Sequence, residues 1–567
     1  MTTYRFAAGV LAVLLAGGLW TVPCAADDPK PMKPGGKPPP LQYDHPARDP
    51  VPVVAAADRE IDRALAAAKV PASPSADDAE FLRRAYLDIA GRIPTAERAT
   101  AFLDSTDPDK RRKLIDELLA SQDFGRHLAD LWRPLLAPRD PANTKPQVDK
   151  FSPWLAEQFN RNRGWDALAK ELVGATGDVK DRPETTFLMS YAESAQPKPD
   201  LLAGAAGRVF LGVQLQCAEC HDHPFAPWTQ DDFWGVAAFF GKLRNTGTKG
   251  PPWVLTEDPD PKPLDVKNGG VERPKILAGG VIVVPGTGGN KGVGREIPAK
   301  MLGGKPLKLD DATAFRPEFF TWLTAKDNPY FARAFVNRAW SQLFGRGLVN
   351  PVDNMSADNR PSHPALLDLL AAEFTASGFN VKHLYRCLCN TTAYQRTSRG
   401  PAAERGTELF ARMAVKPVGP ETLYDSLAVV YGGTLDKPAA PGSKPAAKPG
   451  EKPSYGPTNP RDEFVNFFRG QGGGEPGEFA HGIPQFLRRM NGERFNTAAP
   501  VIDRLVKAET GTEKAIEALY LTALARRPTA REKELMTKYV AGRPTPAEGY
   551  SGVLWVLLNS GEFVLNR

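Results

Sequence analysis

The chain is poor in the residues that build disulfide scaffolds and metal clusters: five cysteines, seven histidines and eight methionines in 567 residues. Five thiols cannot staple a chain of this length, so its stability must come from buried apolar area. No stretch beyond the amino terminus reaches the roughly 20 apolar residues that a bilayer span requires, and no transmembrane domain is expected in the mature body. Charge of one sign is also lacking. Lys and Arg total 72 against 66 Asp and Glu, a formal net charge of +6, which excludes a polyanion or a histone-like polycation. No arginine-rich face interleaved with aromatics occurs, so nucleic-acid binding is not expected. The nucleophile elbow, the phosphate loop and the zinc-protease helix motif are missing too.

Glycine and proline are abundant, at 51 and 54 residues, and together they exceed the usual share of about 12%. Much of the proline lies in two Pro/Lys-rich stretches, a tether over 27–55 and a linker over 431–460, each too poor in apolar area to fold. Before the tether, residues 1–26 read as a signal peptide: Arg5, an apolar run from Phe6 to Trp20, and Cys24-Ala25-Ala26 before Asp27. Cleavage after Ala26 is expected, with lipidation at Cys24 and a retained anchor as the alternatives. The expected location is therefore exported: periplasm, cell envelope or medium.

Between these stretches the apolar period is helical. Spacings of i, i+3 and i+4 run over Asp58–Lys69, Asp78–Ala90, Thr95–Leu103, Asp109–Ser121, Phe151–Asn160 and Trp165–Val173, then resume from Arg316 to Tyr394 and from Phe486 onward. The basic run Lys110-Arg111-Arg112-Lys113 reads as a solvated helix face. Residues 245–310 instead show short β-type runs bounded by Gly and Pro, such as Gly280-Val281-Ile282-Val283-Val284. The expected fold is mainly α, with multi-helical domains, related helical-hairpin modules near both ends and a small β-rich insertion at about 245–310. The expected domains are 56–244 and a second helical body split into 311–430 and 461–567.

The hairpin modules show as an internal repeat. Tyr86-Leu87-Asp88-Ile89-Ala90-Gly91-Arg92-Ile93-Pro94-Thr95-Ala96 resembles Tyr520-Leu521-Thr522-Ala523-Leu524-Ala525-Arg526-Arg527-Pro528-Thr529-Ala530. Downstream of each copy, Leu118 to Phe124 matches Leu557 to Phe563, and Leu388 to Tyr394 reads as a worn third copy of this second half.

The most specific chemistry is Gln216-Cys217-Ala218-Glu219-Cys220-His221-Asp222-His223-Pro224-Phe225. Two thiols three apart with a histidine next are the attachment pattern of c-type haem: Cys217 and Cys220 take the vinyl-derived carbons and His221 is the proximal iron ligand. Thr229 and Asp232 form a credible capping box for an aromatic helix that follows. Two other readings stay open: a Cys217–Cys220 disulfide, or another transition-metal site with His223 among its ligands. A sixth iron ligand would have to be Met301, His363 or His383, brought near by folding. Cys387 and Cys389, two apart on a helix, read as core fillers, and His363 as part of a helix start. His45, His127 and His481 stand alone.

Phe81 to Asp88, the run Phe210 to Phe225 and Trp228 resemble the planctomycete cytochrome-associated domain of unknown function. Asn328 to Trp340, Phe344 to Val349, Ser362-His363-Pro364, Tyr394-Gln395 and the closing Leu557 to Phe563 resemble its planctomycete C-terminal companion. The resemblance implies a large, exported, mostly helical protein whose relatives often carry an additional cytochrome c domain. Here one haem site is available. The functional expectation is a cell-envelope protein carrying a single c-type haem, with a redox or electron-transfer role and a redox partner. Its rivals are a haem-free extracytoplasmic scaffold that binds a protein or polysaccharide, and a metal-dependent hydrolase using His221, Asp222 and His223. Whether the chain is an enzyme stays open.

Overall fold

The computed structural model describes residue 45 and residues 48–138, 148–193, 195–247, 253–258, 275–284, 294–400, 406–432, 460–469, 483–492 and 499–567. The signal peptide with Cys24, most of the tether, nearly all of the linker and His481 lie outside the described residues.

Helices dominate, as the periodicity indicated. The first, Val51–Ala68, begins inside the stretch assigned to the tether. Pro52 sits in its first turn, where a missing N–H costs nothing, and Asp49 accepts the Val51 N–H at 3.0 Å. The 78–90 region is not one regular helix. An α segment, Asp78–Ala85, widens into a π turn, Tyr86–Ala90, and ends at Gly91 with φ of +65°. A Cβ at Gly91 would lie 2.3 Å from His127 Nδ1, so only glycine fits there. The same device recurs at Pro199–Ala206, Gly207–Leu211 and Gly212 (φ +66°), which delivers the chain to the cysteine turn.

The basic run at 110–113 is only half solvated. Lys110 and Arg111 both pair with Asp78, at 2.6 and 2.7 Å, and Arg111 lies 4.7 Å above the Phe81 ring, while Arg112 and Lys113 face solvent. The 245–310 segment holds strand Val254–Glu257, paired between Gly177–Asp178 and Leu243–Asn245, and an antiparallel meander of Lys275–Leu277, Val281–Val284 and Arg295–Pro298. Ile282, opposite Ile297, turns inward from the meander.

One apolar cluster takes residues from Val53 to Met413, with Leu521 and Ala525, and joins the two halves of the chain. Its centre is aromatic: Trp132 stacks on Phe335 at 5.1 Å, Trp165 meets Phe210 at 5.8 Å, and Phe335 stacks on Phe374 at 4.9 Å. A second cluster is built mostly from 418–565.

The internal repeat is structural. Arg92 pairs with Asp123 at 2.7 Å and lies over Tyr86; its counterpart Arg526 pairs with Glu562 at 2.8 Å and lies over Tyr520. Gly91 and Ala525 both end their helices in the left-handed region, and Thr95 and Thr529 both cap the next helix. The hydroxyls of Ser121, Ser560 and Thr391 each donate to the carbonyl three residues back, so the worn third copy keeps the same turn. The two full copies bury each other. Leu87 belongs to the cluster of the C-terminal module, and its counterpart Leu521 to the main core. Direct bonds between the copies run from Arg83 to the Ala523 and Phe563 carbonyls and from Arg527 to Asp104.

A buried polar network fastens this junction. Arg84, 1% exposed, donates to the carbonyls of Tyr394, Arg396 and Arg567 and to the Glu80 carboxylate. Arg83 donates to the carbonyls of Ala523 and Phe563, and burial pushes its pKa down to about 10. In the π turn Asp88 accepts from Lys416 Nζ at 2.7 Å, Tyr394 Oη at 2.9 Å and Asn566 Nδ2 at 2.7 Å.

Candidate cysteine and histidine site

Leaving Gly212, the chain forms a short 3-10 turn, Gln216–Glu219, with Cys220 in helical conformation at its end. At three residues per turn, side chains i and i+3 are eclipsed, so Cys217 and Cys220 stand on one edge of the turn. Both are exposed and unbonded. Ala218, between them, is buried and anchors the opposite edge. Burial, with the carboxylate of Asp200 nearby, raises the pKa of Glu219.

Hydrogen bonding assigns different tautomers to the two imidazoles. His221 Nδ1 lies 2.7 Å from the Asp222 carbonyl oxygen. A carbonyl only accepts, so Nδ1 carries the proton and Nε2 carries the lone pair. His223 Nδ1 accepts the Phe225 N–H at 3.1 Å, which in the neutral ring places its proton on Nε2. His221 therefore presents a ligating nitrogen and His223 does not. The anchored Nδ1–H is the arrangement that holds an imidazole for a metal.

The helix Gln230–Ala237 is the platform under the turn, and Thr229 and Asp232 form the expected capping box. The Glu219 carbonyl accepts from Gln230 Nε2 and Trp234 Nε1, both at 3.0 Å. Asp222 Oδ1 accepts the Gln230 backbone N–H at 2.8 Å, placing a carboxylate at a helix N-terminus, where the dipole favours it. The meander is tied to the same helix: Lys300 pairs with Asp232, and Arg295 with Asp231, each at 2.7 Å. Beyond the turn, Phe225 is 79% exposed, the highest value among the large apolar side chains described.

The remaining candidates are buried side chains. His363 starts the helix Pro364–Ala376 and packs 5.4 Å from the Phe410 ring. His383 Nε2 is 2.8 Å from Glu373 and 3.6 Å from Cys387 Sγ. Cys387 and Cys389 are buried core residues, as expected, and burial raises the pKa of Cys387 to about 12. Met301 is buried next to Lys300, whose N–H bonds the Gly235 carbonyl. Among the described residues no three His, Cys, Asp or Glu side chains group to hold an ion. Nor, among them, is any helix long and apolar enough to cross a membrane.

The donor set fits haem c: two free thiols on one edge, followed by an imidazole with its outer nitrogen available. The sequence offered Asp222 only as a hydrolase candidate and Trp234 only as part of an aromatic helix; the hydrogen bonds these two and Gln230 make to the turn were not read. Their signal was positional, since the expected capping box put all three beside the turn.

Two family models match the chain. Residues 56–245 match PSCyt2, described as a protein of unknown function (DUF1549), and residues 315–469 match PSD1, likewise a protein of unknown function (DUF1553). The chain carries these two family domains in this order. The PSCyt2 match contains the cysteine turn and its supporting helix; the PSD1 match supplies Phe335, Phe374, Tyr394 and Lys416 to the shared core and network. No curated protein and no solved structure matches the chain.

Proposed function

We propose that this chain of PSCyt2 and PSD1 domains is an extracytoplasmic redox protein, carrying one haem through thioethers at Cys217 and Cys220 with His221 as axial ligand. The observation that supports it most is the pairing of two unbonded, exposed thiols on one edge of a 3-10 turn with an imidazole whose Nδ1 proton is held by a carbonyl. Each thiol adds across one vinyl group, its sulfur to one carbon and its proton to the other, so attachment consumes no oxidant. Bound there, haem c supplies one-electron transfer. The export signal read from residues 1–26 supports this reading, since such attachment takes place outside the cytoplasm.

The test is expression with a cytochrome c maturation system, followed by haem staining of the denatured protein. The expected result is a stained wild type and an unstained Cys217→Ala/Cys220→Ala variant. An unstained wild type beside a stained control cytochrome overturns the reading. A second reading, a haem-free surface for a protein or polysaccharide partner, is favoured by the exposure of Phe225, and it expects the unstained result.

A further inference from the structure

We infer that Asp222 is a positioning residue that fixes the His221 tautomer and orientation, acting with Gln230 and Trp234 as a three-point clamp on the cysteine turn; this rests on the haem reading. The clamp joins one backbone carbonyl and one side-chain carboxylate to one helix. Trp234 and Gln230 hold the Glu219 carbonyl, immediately before Cys220, and both bonds are 3.0 Å. Trp234 is 5% exposed and meets Phe233 edge to face at 5.3 Å, so its indole is a rigid donor. On the other side of the histidine, the Asp222 carboxylate is held by the Gln230 N–H at 2.8 Å. That bond sets where the Asp222 backbone lies, and hence where its carbonyl stands to accept from His221 Nδ1 at 2.7 Å. His221 is thus flanked by two points fixed on the Gln230–Ala237 helix, while its own ring remains exposed.

An exposed imidazole without such support exchanges between tautomers and rotamers. It presents Nε2 as a lone pair only part of the time, and ligation must then meet the cost of ordering it. A fixed Nδ1–H to carbonyl bond removes that cost, the usual role of the partner behind a ligating histidine. Asp222→Ala removes the carboxylate; Asp222→Asn keeps an acceptor oxygen for the Gln230 N–H. The two variants therefore separate the clamp from any general effect of changing position 222.

The experiment has two arms. In the first, the haem-free protein, made without maturation factors and labelled with 15N-histidine, is examined by NMR near neutral pH. Wild-type His221 is expected as the Nδ1–H form and His223 as the Nε2–H form. Asp222→Ala is expected to shift His221 toward a tautomer mixture, and Asp222→Asn to restore the wild-type signal. In the second, the same variants and Trp234→Phe, which keeps the ring and loses the indole N–H, are made with maturation factors. Asp222→Ala and Trp234→Phe are expected to lower the haem-loaded fraction several-fold, and Asp222→Asn to load as wild type does. The inference is overturned if His221 in Asp222→Ala keeps the wild-type tautomer, or if Asp222→Asn behaves as Asp222→Ala. A fixed tautomer with no haem on the wild type refutes the haem reading alone, because the first arm does not depend on it.

Discussion

Replacing Asp88 by Asn tests whether the buried network holds the halves of the molecule together. The change is nearly isosteric, so it opens no cavity and isolates the charge. The Asp88 side chain is 6% exposed and that of Lys416 is 16% exposed, with 2.7 Å between the charged atoms. Breaking such a pair by neutralising one partner costs about 3–5 kcal/mol, chiefly because the other charge stays buried and unpaired. Lys416 keeps the carbonyls of Gln342 and Leu343, at 2.8 and 2.6 Å, which argues for the lower end. The new amide can keep its oxygen where Oδ1 accepts from Lys416 and Asn566 and turn its NH2 toward the Tyr394 hydroxyl, which then accepts instead of donating. The expected loss is therefore about 3 kcal/mol. Urea unfolding, followed by tryptophan fluorescence and circular dichroism, measures it; midpoints that diverge between probes show the modules separating before global unfolding. Lys416→Met should also destabilise the protein, and the double variant should lose less than the sum by more than about 1 kcal/mol. A loss below about 1 kcal/mol in Asp88→Asn refutes the argument.

Other expectations follow from particular contacts. Leu87→Ala and Leu521→Ala remove equivalent side chains, 3% and 6% exposed, and each should cost about 2–5 kcal/mol; a silent result at either site, by the same urea assay, contradicts reciprocal burial. His127 is buried and its pKa lowered to about 4, mainly by desolvation, against an ordinary 6.5. The unfolded chain gains that proton first, so the contribution is full above about 6.5 and lost as pH falls toward 4, up to roughly 3 kcal/mol. An NMR titration placing His127 near 6.5 refutes this. Mass spectrometry of the exported protein should find Asp27 at its amino terminus; a lipid on Cys24 or an intact leader contradicts the cleavage assignment.

Helices were legible wherever one apolar face meets one neighbour, as in Ala96–Asp104 and Trp165–Gly174, because the 3.6-residue period carries that information. The capping box at Thr229 and Asp232 was legible because it is local. The π turn at Tyr86–Ala90 was not, since a widened turn leaves the apolar spacing nearly unchanged and its reason lies 306 residues away in Tyr394. Glu80, Arg83, Arg84 and Asp88 interleaved with the apolar residues of this segment were the available hint, charged side chains being rare in a core unless paired. At the site, the ligand pattern was plain in the sequence and named His221 as the ligand, but the tautomer of each ring was not. It depends on whether Nδ1 faces a carbonyl or an N–H, and the spacing of the two histidines carries no trace of that.

The central claim is tested most directly by the intact mass of the full-length protein, exported by cells with a working cytochrome c maturation pathway and measured under denaturing conditions. The account expects the processed chain plus one haem, with the added mass on the peptide containing Cys217, Cys220 and His221. A processed chain of unmodified mass, from cells that load a control cytochrome, contradicts it.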